Sequence, residues 1–132
     1  MKSLTKRILL KEIASIFDPL GFLAPFIIKA KILLQEVWAA RQDWDDPLNK
    51  GLEMKARLWF SDLDNFKEIR VQRCIQVKDE VVSMTLHTFV DASGDAYGSV
   101  VYARNVHGSG LRSCYIVASK SKVAPLSSIS IP

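Results

Sequence analysis

A chain of 132 residues has room for one ordinary domain or two partial ones. Its 48% hydrophobic and 24% charged residues are the composition of a folded protein, which excludes a disordered or low-complexity chain. The net charge of +4 is spread out, with 14 Lys+Arg against 12 Asp+Glu in residues 1–80 and 4 against 2 in residues 81–132. That balance permits nucleic-acid contact without demanding it, because a strong electrostatic footprint would gather charge on one face.

Helical spacing opens the chain. Leu9, Ile13, Ile16 and Phe17 recur at helical steps over residues 5–17, behind Thr5 as N-cap. Asp18-Pro19-Leu20-Gly21 breaks the pattern, since Pro19 disfavours helix at Asp18 and Gly21 tolerates a positive φ. A second helix is predicted from Pro25 to about Gln42, burying Phe26, Ala30, Leu33, Val37 and Trp38. Asp43-Trp44-Asp45-Asp46-Pro47-Leu48 reads as a turn, and residues 51–65 as a third helix with Leu52, Ala56, Trp59 and Leu63 inside. Trp38, Trp44 and Trp59 are thus assigned to the helical core and not to a base-stacking platform.

After Phe66 the pattern changes. Ile69, Val71, Cys74, Ile75 and Val77 read as extended chain, and Lys78-Asp79-Glu80 as a polar turn. Val81 to Asp91, Ala96 to Arg104 and Leu111 to Lys120 are three strands rich in β-branched and aromatic residues. Asp91 to Asp95 joins the first pair, and Asn105 to Gly110 is a hairpin loop. Ser121 to Pro132 is a Ser-rich tail. The predicted class is α+β, an N-terminal helical segment over residues 1–66, a linker over 67–80, and a three-stranded antiparallel meander from residue 81.

Chemistry concentrates at Asp91. A carboxylate at a strand end, followed by small residues that let a metal or backbone approach, suits a hard cation. The plainer reading is a turn cap, accepting from the N–H of Ser93 or Gly94. Lys120 and Lys122 follow the third strand with no acidic residue after them, and they are the candidate phosphate contacts, against the plainer reading of solvated tail lysines. His87 and His107 have no metal-ligand spacing with the cysteines and read as a sheet-surface and a loop histidine. Asp43, Asp45 and Asp46 lack the glycine and glutamate of a calcium loop and read as a solvated, helix-capping turn. Phosphate-loop and serine-hydrolase motifs are absent. Cys74 and Cys114 lack a C-x-x-C spacing, and the N-terminus shows neither an apolar leader core nor a cleavage site. The expected setting is therefore intracellular, cytoplasmic or nuclear, with reduced thiols and no membrane span.

Several blocks in register carry a resemblance. They are Thr5-Lys-Arg-Ile8 with Ile16-Phe-Asp-Pro-Leu-Gly21, Ala30-Lys-Ile-Leu-Leu-Gln-Glu-Val-Trp38, and Asp43-Trp-Asp-Asp-Pro-Leu48. Further along come Phe89-Val-Asp-Ala-Ser93 with Ala96-Tyr-Gly98, and Ala118-Ser-Lys-Ser-Lys-Val-Ala-Pro125. Together they resemble the pol polyprotein of BEL/Pao-type retrotransposons, in the region grouped as the Pao retrotransposon peptidase family. The resemblance implies that residues 1–66 are similar to a reverse-transcriptase thumb or connection segment. Residues 81–132 would then be the truncated N-terminal part of a ribonuclease H-like domain, an incomplete fold.

The resemblance also implies that Asp91 is a catalytic metal ligand and that the intact enzyme uses Mg²⁺. Its partners would be an RNA–DNA hybrid and the remaining pol domains, and the isolated chain would be inactive. One competing class is a domesticated interaction module that self-associates through exposed strand edges. Another is an aspartic-peptidase-like fragment, although Asp91-Ala92-Ser93-Gly94 has one residue too many for that loop.

Overall fold

The computed structural model describes residues 3–66, 69–70 and 79–127. Three helices, α1 (Lys6–Ser15), α2 (Ala24–Ala39) and α3 (Lys50–Asp64), precede three strands, β1 (Val81–Ala92), β2 (Ala96–His107) and β3 (Arg112–Val123). That is the predicted α+β order. The chain divides into a helical unit and a second unit that holds the sheet together with Asp18–Ala24.

In the helical unit each helix start has a visible cause. Thr5 caps α1 by accepting from the Ile8 N–H at 3.3 Å, and Asn49 caps α3 by accepting from the Leu52 N–H at 2.9 Å. Pro25 occupies the first turn of α2, where its missing N–H costs nothing. The stripes then meet. Leu9, Ile13, Phe26, Ala30, Leu33, Val37, Leu52, Ala56 and Trp59 form one core with Leu48. Trp59 stacks on Phe26 with centroids 4.9 Å apart and donates its indole N–H to the Phe26 carbonyl at 3.3 Å. Each large apolar side chain buried there contributes about 1.5–3 kcal/mol.

The Asp43–Leu48 turn closes over the start of α1. The Leu48 N–H donates to the Leu4 carbonyl at 2.8 Å, and the Arg7 N–H, one of the first-turn donors with no helical partner, meets the Trp44 carbonyl at 3.1 Å. The Arg7 guanidinium grips Asp45 through two bonds of 2.7 and 2.9 Å. This hydrogen bonding holds the Asp45 carboxyl below the usual carboxylate range. Capping is thus done by Thr5, Asn49 and the Trp44 carbonyl, while Asp45 serves as an ion-pair partner.

Several expected core residues sit elsewhere. Phe17 is 80% exposed, because α1 stops at Ser15 and the extended Ile16 takes Phe17 out of helical phase. Trp38 and Trp44 are half-exposed and pack edge to face at 5.3 Å, with the buried Lys6 ammonium 4.4 Å above the Trp38 ring. The second helix ends at Ala39, three residues before Gln42, and Arg41 takes a left-handed φ of 52°.

The sheet is a meander in the order β1-β2-β3, antiparallel throughout. β2 runs on to His107, so the second hairpin loop is shorter than expected and His107 is a buried strand residue, not a loop one. β3 likewise runs to Val123, three residues past the expected end at Lys120, which makes Lys122 a strand residue and not part of a tail. Against β3 lies the Asp18–Ala24 segment. The Ser119 N–H donates to the Leu20 carbonyl at 2.7 Å, and the Ser121 hydroxyl to the Ala24 carbonyl at 3.4 Å. Gly21 has φ 72°, and a Cβ there would stand 2.0 Å from the Ser119 carbonyl oxygen. Hence the Asp-Pro-Leu-Gly break is also the piece that lines one edge of the sheet.

The expected extended stretch at Val71 to Val77, Cys74 included, and the last five residues of the expected tail lie outside the described residues. Among the described residues no helix is long and apolar enough to cross a membrane.

Candidate metal and nucleic-acid site

β1 carries Asp91 to the turn end of the sheet, one residue before the strand stops. The turn that follows is held by Ser93. Its N–H donates to the Ala96 carbonyl at 2.8 Å, and its hydroxyl accepts from the N–H groups of Asp95 and Ala96 at 3.3 and 3.2 Å. Asp91 accepts from the N–H of Ala92 at 2.9 Å, not from Ser93 or Gly94. The carboxylate is exposed. A serine does the capping expected of the aspartate, so Asp91 is not consumed by the turn.

Register places its neighbours. Asp91 pairs with Gly98, and Gly98 with Ser121, so these three positions share one face of the sheet. Gly98 brings no side chain to that face, and a Cβ there would stand 3.1 Å from the Lys120 carbonyl oxygen and 3.5 Å from the Ser121 Cβ. Further along the same face stand Phe89, in edge contact with Tyr102 at 6.1 Å, and His87, bonded to the Thr85 hydroxyl at 3.0 Å. On the opposite face Ala92 pairs with Tyr97 and Tyr97 with Lys122, while Val90 pairs with Ser99 and Ser99 with Lys120.

The sheet end thus gathers the three residues singled out in the sequence. Asp91, Lys120 and Lys122 line one open groove of about 540 Å³ with Val90, Ala92, Tyr97, Gly98 and Ser99. Alternation nevertheless turns the carboxylate to one face and both lysines to the other. Tyr97 and Ser99 were not foreseen as site residues. Their spacing of two after the turn was visible, but only the register shows which lysines they face.

The donor set beside Asp91 is thin. Two-metal phosphodiester hydrolysis needs several carboxylates to hold ions roughly 3.5–4 Å apart. Among the described residues no group of three or more His, Cys, Asp or Glu is placed to hold a metal ion. Asp91 therefore brings one ligand suited to Mg²⁺, and the described residues do not complete a two-metal site. His107 is no substitute, since its Nε2 lies 2.9 Å from the Ser113 hydroxyl on the face away from Asp91. Cys114 is a free, exposed thiol.

No curated protein matches the chain. No solved structure matches it either. Residues 5–132 do match the family described as the Pao retrotransposon-like RNaseH-like domain, which covers both helices and sheet. With nearly the whole length matched and the aspartate-bearing strand and turn in place, the chain belongs to the Pao retrotransposon-like RNaseH-like domain family.

Proposed function

We propose that this chain is part of a retrotransposon pol polyprotein whose intact form handles and cleaves RNA–DNA hybrids during reverse transcription. The observation that carries the reading is the Asp91 carboxylate, exposed and bonded only to the Ala92 N–H among the described residues while Ser93 closes the turn, at the end of the first strand of an RNaseH-like chain. Asp91 would supply one ligand to Mg²⁺, whose chemistry is to stabilise charge on the phosphate being cut. Lys120 and Lys122 would meet phosphates, and the helices would stand in for a reverse-transcriptase connection segment. With one carboxylate at the site, the isolated chain binds hybrid but does not cleave it.

Anisotropy titration of a labelled RNA–DNA hybrid against a DNA duplex, from 50 to 200 mM salt, tests the binding half. Salt-sensitive preference for the hybrid supports the reading, and equal affinity for the two sinks it. For the catalytic half, Mg²⁺-dependent hybrid cleavage that disappears in Asp91→Asn refutes the claim that this chain alone is inactive.

A second reading is favoured by β1 itself. Val82, Met84, Leu86, Phe89 and Val90 are exposed, and the strand carries neither the proline nor the lysine that usually protects an edge. A domesticated module would pair β1 with β1 of a second copy. Light scattering that stays monomeric up to high micromolar concentration removes that reading.

A further inference from the structure

Two cross-strand rows share the open half of the sheet face turned away from the Asp91 carboxylate. One is Ala92, Tyr97 and Lys122, and the other is Val90, Ser99 and Lys120. The far half of the same face is closed, with Ala103, Asn105 and His107 buried. At the open half Tyr97 is 46% exposed, beside the small side chains of Ala92 and Ser99. Neither lysine ammonium is engaged in an ion pair among the described residues, and no ring packs on Tyr97 there. The two lysines stand two residues apart on one strand, about 7 Å along it.

A ring with a free face beside two uncommitted cations is the pairing that unpaired nucleic acid uses. Bases stack on the ring whatever their sequence, and ammonium groups follow the backbone. A duplex keeps the faces of its bases inside its own stack and cannot use Tyr97 in this way. The lysines alone would suit any polyanion, so the tyrosine decides the class.

We infer that this half-face binds single-stranded nucleic acid, with a base stacked on Tyr97 and neighbouring phosphates at Lys120 and Lys122. The Ser99 hydroxyl, opposite Lys120 and beside Tyr97, is a further donor to the backbone. The inference rests on the nucleic-acid reading above and adds to it a strand path on the face opposite Asp91, one that leads an unpaired strand away from a hybrid.

The test uses the full chain and a labelled single-stranded DNA of a dozen nucleotides, followed by anisotropy between 50 and 200 mM salt. Tyr97→Ala is expected to weaken binding about 10-fold and Tyr97→Phe to leave it unchanged. Replacing Lys120 and Lys122 together by glutamine should lower the slope of log affinity against log salt by about 1.4. Circular dichroism of each variant separates loss of binding from loss of fold. If Tyr97→Ala unfolds the sheet, the retained affinity of Tyr97→Phe and the lysine slope decide the matter together. Wild-type protein that ignores the single strand overturns the inference, as does single-strand binding indifferent to all these changes, and hybrid binding can survive either result. Single-strand binding that depends on Tyr97, with hybrid held no better than duplex, supports the inference and removes the hybrid reading.

Discussion

Gly21→Ala isolates the contact that ties the Asp-Pro-Leu-Gly segment to the sheet. The glycine sits at φ 72°, a region that costs an L-residue about 1–2 kcal/mol. The added methyl would also meet the Ser119 carbonyl oxygen at 2.0 Å and its carbon at 2.7 Å, both backbone atoms that cannot swing aside. The segment must lift, and with it goes the 2.7 Å bond from the Ser119 N–H to the Leu20 carbonyl, worth about 0.5–1.5 kcal/mol net. Together these come to about 1.5–3.5 kcal/mol, a roughly 10- to 400-fold rise in local opening. Amide hydrogen exchange at Ser119 reads that opening directly. Gly94→Ala is the control, because a Cβ there meets nothing within 4 Å. If Ser119 exchanges within threefold of wild type in Gly21→Ala, the segment does not depend on this close approach and the reasoning fails.

Trp59→Ala should cost about 3–5 kcal/mol in urea unfolding, since it removes a ring stacked on Phe26 in the helical core. The same change at the half-exposed Trp38 should cost about 1 kcal/mol or less, and equal losses at the two sites would show that the burial is misassigned. The Asp45 carboxyl should titrate by NMR below the ordinary carboxylate range, and Arg7→Gln should return it there. Because its folded value is lowered, the pair supports the fold above that ordinary range and is lost as pH falls through the lowered value. Asp91→Asn should leave stability within about 0.5 kcal/mol, while Ser93→Ala should cost about 1 kcal/mol. The reverse order would make Asp91 the turn cap after all.

Local patterns were readable where one residue settles one question. Leu9 and Ile13, the Phe26–Val37 stripe and the Leu52–Trp59 stripe announce their buried faces by spacing alone. Thr5 announces a helix start. Phe17 and Trp38 misled because helical phase continues on paper past the point where the backbone leaves the helix or the face turns to solvent. The Asp91 strand end was legible for the same local reason. That Ser93 would do the capping was not, because both residues are good acceptors and only geometry decides between them. The Asp18–Ala24 contact with β3 joins residues about a hundred positions apart and leaves no local trace beyond the glycine.

The side on which the lysines fall is hidden from counting along the strand by one residue that no periodicity reveals. Val101 pairs with Ala118 but Tyr102 pairs with Ile116, so Val117 is an extra residue, a bulge on β3. Counting by twos from Ile116 would put Lys120 and Lys122 on the face of Asp91. The bulge shifts the count by one and sends them to the face of Tyr97 and Ser99. Deleting Val117 should therefore leave residues 118–123 paired as they are, since Ile116 and Ala118 already stand on opposite faces. In NMR spectra of the deletion, cross-strand contacts should persist between Tyr97 and Lys122 and between Ser99 and Lys120. If Lys122 contacts Gly98 instead, Val117 is more than an inserted residue, and the pairing of residues 118–123 depends on it.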